Sequence, residues 1–157
     1  MLLPVAPWPE LLSILIAAGD GFSGWASLND TIMGGRSSGE CSVSSEGLLM
    51  QAEVVAEGGG FVSCRSPVWQ PPLDLSAATA LRLRLQGDGR RYKLAVAVSD
   101  LKPVVRAKPV GLPLRFEATK VSRLQILHSR FADDGESNPG FRAGPLRLRV
   151  LSIEAIR

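Results

Sequence analysis

An all-β sandwich is the fold class this chain predicts, and three observations predict it. Eleven prolines and sixteen glycines punctuate 157 residues, too many breaks for a helical protein. Three runs alternate apolar and polar residues with the period of a strand that has one buried face. The short apolar pieces between them are separated by turn-forming clusters, as in sandwiches. Hydrophobic and charged contents of 45% and 21% are those of a globular chain, and the length suits one domain. The domain is expected over residues 20–157, after an N-terminal arm or short helix over 1–19. That first segment carries no Lys or Arg, is broken by Pro4, Pro7, Pro9 and Glu10, and has too short an apolar run to span a bilayer.

In order along the chain, Phe22 and Trp25 anchor the entry to the domain by large apolar burial. The stretch Asn29-Asp30-Thr31-Ile32-Met33-Gly34-Gly35-Arg36-Ser37-Ser38-Gly39 packs glycines and hydroxyls around one Ile-Met pair. Glycine permits close backbone approach, and Asn and Asp bond to nearby N–H groups. The stretch therefore reads as a tight, self-bonded turn, with Ile32 and Met33 turned inward or presented to a partner. Cys41–Ser45 and Gly47–Val54 flank a hairpin turn at Glu46-Gly47. Gly58-Gly59-Gly60 breaks the pattern and Phe61–Ser66 resumes it. Pro67, Pro71 and Pro72 make 66–76 a loop.

The alternating runs follow. Leu81-Arg82-Leu83-Arg84-Leu85 sets leucines against arginines, and Tyr92, Leu94, Val96 and Val98 share a face. Gln86–Arg91 reads as a hairpin connector between these two runs. The third, Leu146-Arg147-Leu148-Arg149-Val150, shifts phase at Val150-Leu151, as a β-bulge or a doubly buried strand would. Leu124–His128 is a further strand. Within 100–119, divided by prolines, only 114–118 reads as a strand. A polar loop spans 133–140.

Charge is divided along the chain. Residues 1–80 carry two basic side chains against eight acidic, or −6, and residues 81–157 sixteen against seven, or +9. Complementary halves either pair across a sheet or leave a basic face for an acidic partner. The two cysteines, Cys41 and Cys64, are expected as buried free thiols, with a bridge open to them if their strands are neighbours and the compartment oxidises.

Catalytic chemistry finds little support. The one histidine, His128, has no acidic neighbour in sequence and reads as a satisfied core or interface residue. One His and two dispersed Cys offer no metal-site spacing, and Asp133-Asp134-Gly135-Glu136 lacks that of a calcium loop. The glycine clusters lack the strand–loop–helix context of a phosphate cradle. No cofactor, metal or catalytic residue is therefore expected, and nucleic acid is not an expected partner.

The motifs nevertheless fall in a telling order. Trp25 precedes Asn29-Asp30 and Met33-Gly34-Gly35 with Ser37. Then come Gly58-Gly59-Gly60-Phe61-Val62-Ser63 with Arg65, Asp74-Leu75-Ser76, and Gly87-Asp88-Gly89-Arg90-Arg91-Tyr92. Together they resemble the complex I intermediate-associated protein family, over 22–100 and more loosely over 120–157. The closing Ala143-Gly144-Pro145-Leu146-Arg147-Leu148, leading into Ile153, looks like that family's last strand. Between 100 and 119 the chain departs from the family's Trp-containing strand and Leu-Pro-Phe stretch, keeping Leu112-Pro113-Leu114 and Phe116.

The resemblance implies a galactose-binding-domain-like jelly-roll β-sandwich and a non-catalytic role in assembling a membrane electron-transfer complex, NADH dehydrogenase-like or photosynthetic. The partner is then a protein subunit or assembly intermediate, met in the cytoplasm or peripherally at a bioenergetic membrane. The Arg-bearing strand faces (Arg82, Arg84, Arg147, Arg149) are the expected partner-binding groups. The alternative is a carbohydrate-binding module with Trp69 as its stacking platform.

Overall fold

The computed structural model describes residues 13–98, 117–132 and 134–157. Its strands are β1 (Ser13–Ala18), β2 (Ala26–Ser27), β3 (Ser38–Ser44), β4 (Gly47–Val54), β5 (Phe61–Arg65), β6 (Ala80–Gln86), β7 (Lys93–Val98), β8 (Val121–Ser129) and β9 (Gly144–Ile156). They form two antiparallel sheets. One has β6, β9, β4, β3 and β1, and the other follows the order β2-β5-β8-β7. This is the all-β jelly-roll sandwich expected.

The long β9 organises the five-stranded sheet. One edge of it pairs with β4 over Gly144–Val150 and then with β1 over Ser152–Ile156. The other edge pairs with β6. Leu146, Leu148 and Val150 are buried, and beyond the phase shift so are Ile153 and Ala155. The shift is a bulge at Leu151, where Arg84 faces Ser152 and Leu85 faces Val150. It turns the apolar face of β9 back to the core after one skipped residue. Leu48, Met50 and Val54 extend that face, and Val62, Leu124 and Ile126 meet it from the four-stranded sheet. Phe22 and Trp25 close one part of the core edge-to-face, with ring centroids 5.3 Å apart.

Four expectations change. Ser13–Ala18, within the expected arm or short helix, is a strand: its Ser-Ile-Leu-Ile sequence pairs with β9 and buries Ala17. The hairpin loop between β3 and β4 is Ser45-Glu46, and Gly47 opens β4 with φ +99°. A Cβ on Gly47 would lie 2.2 Å from the Val150 carbonyl oxygen, so glycine there lets β9 approach. Residues 86–91 do not form a hairpin, because β6 and β7 belong to different sheets. The connector crosses the sandwich instead. Finally, Cys41 and Cys64 are joined by a disulfide, with Cα atoms 6.0 Å apart. Cys41 lies on the edge strand β3 and Cys64 on β5, so the bond staples one sheet to the other. The expected strand over 114–118 lies mostly outside the described residues, and Ala118 begins a 3-10 turn.

The bond closes a loop of sequence separation 23. Reducing it, or replacing both cysteines by serine, is expected to cost about 3 kcal/mol of stability through the freed unfolded chain. Urea unfolding with and without a thiol reductant measures this, and matching midpoints would mean that the staple contributes nothing.

Candidate functional site

The glycine-rich stretch folds around a single carboxylate. Asn29 precedes the 3-10 turn Asp30–Met33, and Asp30 is fully buried. Its Oδ1 accepts from the Ser37 N–H (3.0 Å), and its Oδ2 from the Ser37 hydroxyl (2.7 Å), the Gly60 N–H (2.8 Å) and the Phe61 N–H (3.3 Å). Burial pushes the Asp30 pKa up, but these bonds outweigh it and hold the carboxyl below its ordinary value. Gly35 and Gly59 are glycine because the carboxylate lies against them. A Cβ on either would come within 2.3 Å and 2.5 Å of Asp30 atoms. Gly34 takes φ +86° to end the turn. Asn29 ties the neighbouring strands, accepting from Ser63 N–H and donating to the Gly39 carbonyl, both at 3.3 Å. Trp25 lies buried beside Phe22.

The outcome of this packing is at the tip. Ile32 and Met33 are 68% and 63% exposed, on a turn with a locked backbone. Of the two orientations the sequence left open, the structure takes the outward one.

A second aspartate fixes the crossover from β6 to β7. Asp88 Oδ1 accepts from Tyr92 OH (3.0 Å) and Arg90 N–H (3.2 Å), and Oδ2 from Arg90 Nη1 (2.7 Å) and Arg147 N–H (3.1 Å). Burial raises its pKa and these donors more than reverse the rise. Tyr92 is driven upward, by burial first and by Asp88 next. Gly87 and Gly89 flank this carboxylate, Gly89 with φ +84°. His128, fully buried, stacks on Phe141 at 5.3 Å. Its Nδ1 lies 2.8 Å from the Arg91 carbonyl and its Nε2 accepts from the Arg142 N–H at 3.4 Å. That pairing calls for the Nδ1–H tautomer and spends both ring nitrogens on the fold. Sequence reading found neither Arg142 nor Asn138, whose buried amide donates to the Ser129 carbonyl. No local pattern signals contacts made across the sandwich.

The four expected partner-binding arginines all lie on the outer face of the five-stranded sheet, opposite buried Leu146, Leu148 and Val150. They are not equivalent. Arg82 pairs with Glu154 (3.5 Å) and Arg149 with Glu46 (3.2 Å). Arg84 and Arg147 are exposed and have no ion-pair partner among the described residues. Half of the set is thus used internally. Trp69, the platform expected for the carbohydrate alternative, is half-buried and packs against the core. Among the described residues no group of three or more His, Cys, Asp or Glu is placed to hold a metal. No helix among them is long and apolar enough to cross a membrane.

The family model for Complex I intermediate-associated protein 30 (CIA30) matches residues 14–101, more than half of the chain. The chain belongs to the CIA30 family. No match to a curated protein accompanies it. The family is one of non-catalytic proteins with a role in complex assembly. The matched residues contain both aspartate knots, in which the motif residues of this CIA30 domain hold loops in place.

Asp30→Ala would leave buried Ser37 and Gly60 N–H groups without an acceptor, at an expected cost of about 3 kcal/mol or more. Gly35→Ala should cost a similar amount by displacing the carboxylate, and chemical denaturation measures both. The folded pKa of Asp30 lies below its ordinary 3.8, so its contribution is complete above that value. It is lost as pH falls through the lower, folded value. Acid titration of the denaturation midpoint should therefore show a steeper decline below pH ~4 in the parent than in Asp30→Asn.

Proposed function

We propose that this CIA30 domain is a non-catalytic protein-binding module that holds a subunit or assembly intermediate of a multi-subunit membrane electron-transfer complex, NADH dehydrogenase-like or photosynthetic. The observation that carries the reading is the Ile32-Met33 tip, two large apolar side chains held in water by a turn locked through Asp30. Flexible loops lose entropy when they bind, whereas a preformed turn has lost it on folding, so its apolar area is available to a partner. Apolar anchors of this size, rimmed by polar groups, are what binding sites use for affinity. Arg36, paired with Glu57 at 2.6 Å, supplies such a rim. On the outer sheet face, Arg84 and Arg147 add cationic contacts to an acidic partner, with Arg82 and Arg149 partly engaged by Glu154 and Glu46. Charged contacts of that kind govern encounter and register more than affinity.

The test is co-purification of the tagged chain with its complex. Ile32→Ser combined with Met33→Ser should cut recovery of partner chains at least tenfold while leaving the melting temperature within a few degrees, since both side chains are exposed. Arg82→Glu with Arg84→Glu should weaken recovery and make it more sensitive to salt. Unchanged recovery in both variants would discard the reading.

A further inference from the structure

The face of the four-stranded sheet turned away from the core carries an arrangement that neither aspartate knot uses. Cys64 points inward to its disulfide, so Arg65 points outward, and it is paired in register with Gln125. Two residues earlier on β8, Arg123 lies on the same outer face, opposite Ala97. The two guanidinium groups are therefore diagonal neighbours across adjacent strands, within reach for side chains of this length. Like charges so placed repel, and Arg123 has its pKa lowered by burial and then by Arg65. Its Nε–H is buried and finds no acceptor. Neither arginine has an ion-pair partner among the described residues. A half-buried cation pair with an unspent donor is costly to the fold and lacks a structural return.

The surroundings are shaped for an occupant. Small residues flank the pair: Ala26 and Ala95 are exposed and Ala97 is half-buried. Gln125 donates to the Ser63 hydroxyl at 2.8 Å, which fixes the polar floor between the strands. Beside Ala95 the face continues into a groove of about 520 Å³ along β7, with Leu127 and Tyr92 among its walls and Asn138 and Arg91 opposite. Mixed polar and apolar walls suit a polypeptide, whereas an acyl chain needs apolar ones throughout.

We propose that this outer face binds an extended acidic segment of a partner protein, one carboxylate gripped by Arg123 and Arg65 and a neighbouring apolar side chain seated in the groove beside Ala95 and Leu127. A carboxylate supplies two acceptors to a guanidinium fork and neutralises the repulsion. The site lies on the sheet opposite to the arginine face and is independent of which complex the domain serves. With it, one small domain has three separate contacts: the Ile32-Met33 tip, the arginine face and this one.

Fluorescence anisotropy with the full chain tests this, using a labelled octapeptide of alternating Leu and Glu and its Leu/Gln counterpart, in about 0.1 M salt. The Leu/Glu peptide should bind saturably, at least tenfold more tightly than the Leu/Gln peptide. Arg65→Gln with Arg123→Gln should weaken that binding at least tenfold. Lys120→Gln with Arg157→Gln, which removes the same charge elsewhere, should not. Without peptide, Arg123→Gln should melt no lower than the parent, since it relieves repulsion; a lower melting temperature would make the pair structural and overturn the proposal. So would equal binding of the two peptides, equal loss in the two double variants, or no saturable binding at ~100 μM protein. If vesicles containing phosphatidylglycerol bind in an Arg65- and Arg123-dependent way and the peptide does not, the face belongs to a lipid headgroup and the proposal falls. Should the double variant fail to fold, Arg65→Gln alone gives the same comparison.

Discussion

One buried carboxylate holds the end of this sandwich together. Asp30 gathers donors from Ser37, Gly60 and Phe61, segments up to 31 residues away in the chain. A carboxylate without its solvent shell is costly, so the arrangement exists only while every donor is present. That condition constrains three loops at once. The hydroxyl of Ser37 does double duty, donating to Asp30 and accepting the Val55 N–H at 2.9 Å. The glycines on either side are small because the carboxylate needs their space. The exposed Ile32-Met33 pair depends on all of this, since an apolar tip on a loose turn would fold back onto the nearest apolar surface.

Asp88 repeats the device where the chain leaves one sheet for the other. Its carboxylate accepts the Arg147 N–H of β9 and holds Arg90 and Tyr92 beside it, and Arg142 donates to its backbone carbonyl at 3.1 Å. Tyr92 then leads to His128 and Phe141, a column of rings ending against the 129–142 segment. Both corners thus use an aspartate facing backbone N–H groups. The Cys41–Cys64 bond joins the two sheets separately from either. Disulfides persist in oxidising compartments and are rare in a reducing cytoplasm, so the bond weighs against the cytoplasmic expectation.

Much of this was legible in the residues. Strict alternation in 81–85 and 146–150 revealed which side of β6 and β9 meets the core, and the loss of alternation at Leu151 located the bulge. The order of the glycine motifs pointed to the family, and their residue types have physical causes in the knots. Strand partnership was not legible. Residues 86–91 have the composition of a hairpin turn, but the bonds that make them a crossover come from Arg142 and Arg147, more than fifty residues away. The same limit hid the disulfide. Nothing near Cys41 or Cys64 records that edge strand β3 leans against β5. Nor does spacing say that Arg82 and Arg149 have glutamates to meet while Arg84 and Arg147 have none among the described residues.

That last difference bears on how the charge division works. The acidic first half and the basic second half are brought together where β3 and β4 lie beside β9, and Glu46 and Arg149 show the pairing that results. If internal neutralisation were the whole purpose, the cations farthest from solvent would be the best paired, because desolvation penalises them most. The opposite holds. Arg36 pairs with Glu57 although both are largely exposed, while Arg123 and Arg65 sit half-buried on the four-stranded sheet with no carboxylate paired to them among the described residues. A fold that tolerates repulsion in the more expensive place has the missing negative charge supplied from outside, and an assembly factor gains from that. Its contact is strengthened when the partner's carboxylate arrives, and the free domain keeps a modest penalty that discourages pairing with neutral surfaces.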